Sequence, residues 1–436
     1  MSQLLYSSTR HQRKAHPQWS LNAVIYELNV RQFTAEGDFS SATAQLPRLK
    51  ALGVDIIWVM PIFPIGLERR KGELGSYYSI SDYRAVNPEF GDFRDFVTFV
   101  ESAHAQGMRV ILDWVANHTS RDAVWTQSNP EWYMWDVEKG EFLTPFDWHD
   151  TAKLNYDNPS MREAMISALK FWITEAKVDG YRMDMAMLVP MDFWFDAIDE
   201  LLLVNSDIYF LAEAEGAEFH RVGFDTTYSW EMHHLINRVA RGEANADSIC
   251  ELLIREATVY SSNSIRMNFT SNHDENSWNG SEFERMGSYV YQMAALSYIL
   301  PGTPLIYTGQ ETELNRRLEF FEKDTIEWRE GTYAQGLYTE LSRLKHEHPA
   351  LLAGNQGGDL VRIDNSEPWR VLSLKRKIGD RTVIALFNLS SHEARVRFWD
   401  SDFSGTYSQI GSSDMAELYE GGEFYIGANQ FFIYYR

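Results

Sequence analysis

Four apolar runs in this chain each end in acidic residues or in a His-Asp pair: MRVILDWVANH (residues 108–118), VDGYRMD (178–184), DIYFLAEAE (207–215) and IRMNFTSNHD (265–274). Each run is rich in β-branched, aromatic or long aliphatic residues, as expected of a parallel strand buried on both faces. Each then releases Asp, Glu, Asn or His where the strand should pass into a loop. Three carboxylates aimed into one mouth would supply acid, base and nucleophile chemistry. Arg182 precedes Asp184 by two residues, so the period of a strand puts both on one face. A guanidinium there would keep the neighbouring carboxylate ionised and oriented; the competing reading is a purely structural ion pair.

The elements that must position these groups alternate between strand and helix. Candidate parallel strands cover residues 23–29, 54–60, 108–114, 178–184, 208–213, 224–229, 264–270 and 303–308. Between them, residues 93–106 and 161–177 carry apolar residues at i, i+3, i+4 spacing. Asp92 and Asn158-Pro159-Ser160 are helix starts, and Gly107 is a stop. Eight such units in one run predict a closed (β/α)8 TIM barrel of the α/β class, whose active site lies at the C-terminal ends of its strands.

The rhythm breaks between the third strand and residue 156, where aromatic and acidic residues with a Lys139-Gly140 turn predict a small insertion over the barrel mouth. From residue 352 the pattern alternates apolar and polar in WRVLSLKRKI, RTVIALFNL, EARVRFWD and EFYIGANQFFIYYR, an antiparallel β-sandwich signal. The expected organisation is therefore a catalytic barrel from residues 1–118 and 157–351, an insertion at 119–156 and an all-β domain at 352–436.

Composition narrows the partners. The 436 residues carry 62 Asp plus Glu against 40 Lys plus Arg, a formal charge of −22, which argues against nucleic acid or an anionic membrane surface. No stretch approaches the ~18–20 continuous apolar residues of a membrane span. A single cysteine, Cys250, allows no intrachain disulfide and no cysteine metal site. The basic cluster at residues 10–14 is followed by no apolar signal region, so the expected setting is a solvated N-terminal tail on a cytoplasmic protein, or a secreted one if the sequence is a processed form. Oligomeric state leaves no trace in the sequence.

In order and at plausible separations, the motifs DWVANH (113–118), GYRMDMAM (180–187), AEAE (212–215) and NHDENS (272–277) resemble those of the α-amylase family of retaining glycoside hydrolases, family 13. LGVDIIWVMPIFP (52–64), YSISDYRAVNPEFG (78–91) and PGTPLIYTGQE (301–311) extend the likeness across residues 20–330. The resemblance implies that Asp184 is the nucleophile, Glu213 the acid/base and Asp274 the carboxylate that holds sugar hydroxyls. It implies that His118 and His273 are neutral hydrogen-bonding partners of the same sugar, that Tyr78 is an aromatic platform beneath it, and that Arg182 and Asp113 support the site. Glu215 is a rival to Glu213, set aside because Glu213 directly follows the apolar run. In the family the counterpart of Asn117 often ligates a calcium that ties the insertion to the barrel. Calcium is thus a possible cofactor, although Met187-Leu188 stands where many members carry Lys-His, a pair that contributes to that calcium site and to sugar contact.

The implied substrate is an oligosaccharide or polysaccharide of the α-glucan or maltooligosaccharide type, cleaved through a covalent glycosyl-enzyme. A transglycosylase or short-substrate α-glucosidase, acting on sucrose, trehalose or isomaltose-type linkages, is the alternative. A divalent-metal hydrolase built on Asp113, His118, His273 and Asp274 lacks the usual ligand spacings, and a non-catalytic sugar-binding scaffold would not need all three acids. Trp125, Trp132, Tyr133, Trp135 and Trp148 crowd the insertion, where sugar stacking and internal packing compete as explanations; His149 and Asp150 read as a surface loop pair, with lining of the cleft as the alternative.

Overall fold

A computed structural model describes residues 3–6 and 15–436. The basic cluster at residues 10–14 lies outside the described residues. Eight parallel strands close into a barrel in sequence order: β1 (Ile25–Leu28), β2 (Ile56–Val59), β3 (Arg109–Val115), β4 (Gly180–Asp184), β5 (Tyr209–Ala212), β6 (Thr226–Tyr228), β7 (Ile265–Asn268) and β8 (Thr303–Tyr307). Closure comes from β8 against β1, with Leu305 opposite Ile25 and Tyr307 opposite Glu27. All eight expected strands are present.

The strand period decides what faces the barrel interior. Ile25, Trp58, Ile111, Tyr209, Leu211, Tyr228, Met267 and Leu305 pack together inside. Their neighbours Tyr26, Ile57, Val110, Leu112, Tyr181, Phe210 and Ile306 point outward among the helices. Extending the inner row by two residues on each strand reaches Glu27, Asp113, Arg182, Asp184 and Glu213. The polar layer is thus the last inward-facing layer of an otherwise apolar barrel, at the end where the strands give way to loops.

The helix signals act as read. Asp92 caps the helix Phe93–Ala105 reciprocally with Asp95, and Gly107 takes a left-handed φ of 73° just beyond its end. Asn158 accepts from Ser160 and Met161 at the start of Pro159–Glu175, so that helix begins before residue 161 and stops short of residue 177.

The insertion is anchored by two short antiparallel strands, His118–Ser120 and Thr151–Lys153, in which His118 lies opposite Lys153 and Ser120 opposite Thr151. Between them, Trp135–Asp136 and Glu141–Phe142 form a hairpin closed by Gly140. Beyond the barrel, strands Asp359–Arg362, Val371–Ile378, Arg381–Asn388, Gly405–Gln409, Ala416–Leu418 and Phe431–Tyr435 make one sheet, and Asp364–Asn365, Ala394–Trp399 and Glu423–Ile426 a second. Leu372, Leu374, Val383, Ala385 and Phe387 of the larger sheet join the core shared with the barrel helices. Its other face packs Ile384 and Leu386 against Val396, Phe398 and Ile426 of the smaller sheet. One difference from expectation concerns the N-terminus: Gln3–Tyr6 is not barrel or tail but a strand paired antiparallel with Asp359–Arg362 on the edge of the C-terminal sheet. Four residues carry too little alternation to read as a strand, yet they cover an otherwise open sheet edge.

Candidate active site

At the C-terminal end of the barrel lies a cavity of about 340 Å³, lined among others by Tyr78, His118, Trp148, Asp184, Glu213, His273 and Asp274. Arg182 is its organising cation. Fully buried, it donates from Nη1 to Asp113 Oδ1 and to Asp184 Oδ1, both at 2.9 Å, and from Nε to the Tyr228 hydroxyl at 3.1 Å. Its Nη2 lies 2.9 Å from Glu213 Oε2 without the alignment of a hydrogen bond. The guanidinium also sits over the Trp58 ring, 4.9 Å from its centre.

Asp113 is held by three donors: Arg182, Trp58 Nε1 at 3.0 Å and the Tyr78 hydroxyl at 3.1 Å. It has no exposed surface and does not line the cavity, so it braces Arg182 and Tyr78 from below. Tyr78 packs parallel to His273, ring centres 5.4 Å apart, and its hydroxyl meets His273 Nε2 at 2.8 Å. Burial, with Asp113 beside it, pushes the Tyr78 phenol up, so it stays neutral.

The carboxyl pair is electrostatically unequal. Burial and the Glu213 carboxylate push Asp184 up, against the pull of Arg182; burial and Asp274 raise Glu213, against Arg182 and the Met185 N–H. Two buried carboxyls around one guanidinium titrate as a unit, and burial favours the protonated form of each. The hydrogen bonds of the two differ: Asp184 Oδ1 takes one from Arg182, whereas Glu213 accepts from the Met185 N–H, at 2.7 Å on Oε2.

Glu215 is separated from this arrangement. The strand ends at Ala212, Gly216 turns the chain with φ 140°, and Glu215 pairs outward with Arg266. It does not line the cavity.

The two histidines differ. Burial lowers His118 to about 3, so it is neutral; its Nδ1 meets the Asn117 amide at 3.2 Å and its ring packs on Trp148. His273 departs from the expected neutral form. Burial disfavours its imidazolium, but Asp274, 3.2 Å from Nε2, and Glu27, 2.5 Å from Nδ1, outweigh it and push the ring well above its usual range. Asp274 lies at the rim with its side chain 37% exposed. The enclosed mouth opposes its charge, but the His273 imidazolium, with Arg182 and Trp278 behind it, holds it below the usual carboxylate range.

Several site residues escaped the sequence reading. Glu27 carried the signal used elsewhere, a carboxylate in an apolar strand, yet stands alone in AVIYELNV without a following polar cluster. Trp278 lines the cavity from a single helical turn, Glu275–Asn279, too short to show a period, and Phe320, Phe321 and Lys71 line it from irregular loops. Asp150, expected at the surface, is buried, lines the cavity and lies 3.4 Å from Lys71 Nζ; His149 is exposed. Of the insertion aromatics only Trp148 lines the cavity. Trp125 packs on Tyr83 and Trp132, Tyr133 is buried, and Trp135 packs on Phe142.

The surroundings of Asn117 do not fit a calcium ion. It is buried, its amide is directed at His118, and its carbonyl accepts from Leu154. Among the described residues no group of three or more His, Cys, Asp or Glu side chains is placed to hold a metal. Three of the insertion's acidic side chains are matched within the chain: Glu141 by Arg69 and Arg121, Asp150 by Lys71, and Asp122 by the Leu67 and Glu68 N–H groups.

Comparison with known proteins adds independent findings. The model of the α-amylase catalytic domain matches residues 22–151 and 123–348. The α-amylase MalA of Haloarcula japonica is 29% identical over 405 residues, 87% of this chain; the chain spans 57% of that relative's length. The trehalose synthase/amylase TreS of Mycolicibacterium smegmatis is 36% identical over 203 residues, 38% of this chain and 33% of that protein. The crystal structure of an α-amylase from Lactobacillus plantarum superimposes with a TM-score of 0.85 at 29% identity, covering 95% of this chain and 99% of that one.

Proposed function

The chain belongs to the α-amylase family, and from that premise we propose that it is a retaining glycoside hydrolase acting on α-linked glucans or maltooligosaccharides. The observation that carries this reading is the single guanidinium of Arg182 contacting Asp113, Asp184 and Glu213 at the cavity floor. It supplies one ionised and one protonated carboxyl group side by side, the requirement of a double displacement.

In the first step the Asp184 carboxylate attacks the anomeric carbon. The glycosidic C–O bond breaks, Glu213 delivers its proton to the leaving oxygen, and a glycosyl ester forms on Asp184. In the second, the Glu213 carboxylate takes a proton from water, whose oxygen attacks the same carbon and releases Asp184. Asp274 would hold ring hydroxyls as an acceptor, His118 would bond the sugar as a neutral partner, and Tyr78 would present its face beneath the ring. His273, charged and bonded to Glu27 and Tyr78, would keep Asp274 ionised. We place calcium outside this mechanism, and the protein in the cytoplasm; the lone thiol, Cys250, is buried and free. No helix among the described residues is long and apolar enough to cross a membrane.

One observation favours a second reading, a transglycosylase or an enzyme of short substrates. The loop after β2 is tied to the insertion by Lys71 with Asp150 and Arg69 with Glu141. It is tied to the loop after β8 by the Leu74 N–H on the Phe321 carbonyl and the Glu73 N–H on Glu322. Loops joined on both sides restrict the space for a long polymer. Product profiles on starch, maltose, isomaltose, trehalose and sucrose decide between the readings: rapid release of reducing ends from starch supports the first, and activity confined to disaccharides the second.

A further inference from the structure

Arg121 has no part in the chemistry above, yet it is nearly as buried as Arg182, with 3% of its side chain exposed. Its guanidinium faces five oxygens. Nε donates to Glu68 Oε1 at 3.2 Å; Nη1 donates to the carbonyls of Phe142 (3.3 Å) and Thr151 (3.2 Å) and to Thr144 Oγ1 (3.1 Å); Nη2 lies 3.1 Å from Glu141 Oε2. Two carboxylates, two main-chain carbonyls and a hydroxyl are the donor types that a hard divalent cation collects. Here a cation of the chain itself occupies the centre.

The five oxygens belong to separate segments. Glu68 is on the loop after β2, Glu141 and Phe142 are on the insertion hairpin, and Thr144 and Thr151 lie on the return to the barrel. Arg121 follows directly on the strand His118–Ser120, and Thr151 is paired with Ser120. The guanidinium therefore fixes the strand pair that sets His118 in the cavity wall beside Asp150 and Thr151.

We propose that Arg121 is a positioning residue that replaces a bound metal ion as the tie between insertion and barrel, and that through the His118–Ser120 strand it holds the sugar-binding wall in place. A planar fork of donors suits this role, because its bonds leave in fixed directions and span acceptors on different segments, which a point charge cannot do. The unfolding readout of this proposal is independent of the substrate, whereas its kinetic readout rests on the glycosidase reading above.

The test is thermal unfolding combined with steady-state kinetics. The wild-type unfolding midpoint should be the same after exhaustive treatment with EDTA and in millimolar calcium chloride. Arg121→Ala should lower the midpoint and raise KM several-fold while leaving kcat within about twofold, since binding geometry and not proton transfer is disturbed. Millimolar guanidinium chloride, far below denaturing levels, should restore part of both. If Arg121→Ala does not fold, Arg121→Lys should fold with an intermediate midpoint and a raised KM. A wild-type midpoint that falls in EDTA and returns with calcium would overturn the proposal. So would an Arg121→Ala or Arg121→Lys variant indistinguishable from wild type in midpoint and KM.

Discussion

Two buried arginines divide the labour of this molecule. Arg182 is fully buried in the barrel, and its partners are the carboxyl groups of Asp113 and Asp184 on barrel strands and of Glu213 directly after one, plus the Tyr228 phenol. Arg121 is 3% exposed in the insertion, and its partners are loop carbonyls, a hydroxyl and two carboxylates that reach solvent: the side chains of Glu68 and Glu141 are 48% and 28% exposed. The floor of the barrel mouth gathers Glu27, Asp113, Asp184, Glu213 and Asp274 around Arg182 and His273, while Lys71 further out is paired with Asp150. Carboxyl groups that outnumber the cations beside them oppose each other's ionisation, and burial pushes Asp184 and Glu213 up in the same direction. Around Arg121, charge and hydrogen bonds balance, and the result is position without reactivity. Excess of one sign in a buried frame makes chemistry available; a matched set between loops makes structure.

Removing the reacting carboxyls should give the largest effect. Asp184→Asn and Glu213→Gln are each expected to cut kcat by about 10²–10⁴-fold or more on a maltooligosaccharide, with the fold retained by circular dichroism. Full activity in Asp184→Asn would break the assignment. The pH profile sharpens it: the acid limb reports ionisation of the pair and the alkaline limb loss of the Glu213 proton, so Glu213→Gln should abolish the alkaline limb of its residual activity.

Next in size is the buried cation. Arg182→Met leaves Asp113 and Asp184 without their shared donor, and removing one partner of a buried charge set costs about 3–5 kcal/mol. Denaturant titration should show this loss, and it should exceed the loss in Arg121→Ala, whose carboxylates can turn to water. The reverse order would break the contrast between the two sites.

A smaller effect separates the two histidines. His273 is raised in the folded chain, so its contribution to stability is complete below the ordinary histidine range of about pH 6.5 and is lost as pH rises through its raised value. His118 is lowered to about 3, so the unfolded chain binds the extra proton and stability falls as pH drops from about 6.5 towards 3. Imidazole NMR titration should place His273 above the ordinary range and His118 below it. Smallest of all, Tyr78→Ala should raise KM by several-fold, as expected for about 0.5–1.5 kcal/mol of aromatic contact.

Much of this was legible in the sequence because strands impose a period of two. Ile111 to Asp113 and Arg182 to Asp184 keep inward-facing residues in step, so acids at strand ends must converge once the barrel closes. Parity alone does not separate Glu213 from Glu215, which share it; the turn at Gly216 does, and a turn is a property of the backbone path. Arg121 gave no signal, because its partners are carbonyls and side chains 20 to 53 residues away, brought together only when the insertion folds back. The aromatics of the insertion left stacking and packing undecided for the same reason: a small lobe with little core uses Trp125, Trp132 and Tyr133 for packing, and of the five only Trp148 lines the cavity. The Gln3–Tyr6 strand was invisible for lack of length.

The central claim is that Asp184 carries the sugar. The direct test is to treat Glu213→Gln with an α-glucosyl fluoride, whose fluoride departs without a proton donor, quench in acid, and map the adduct by mass spectrometry. The account predicts a single glycosyl ester on the peptide containing Asp184. Label on Asp274 or Glu215 instead, with Asp184 unmodified, would contradict it.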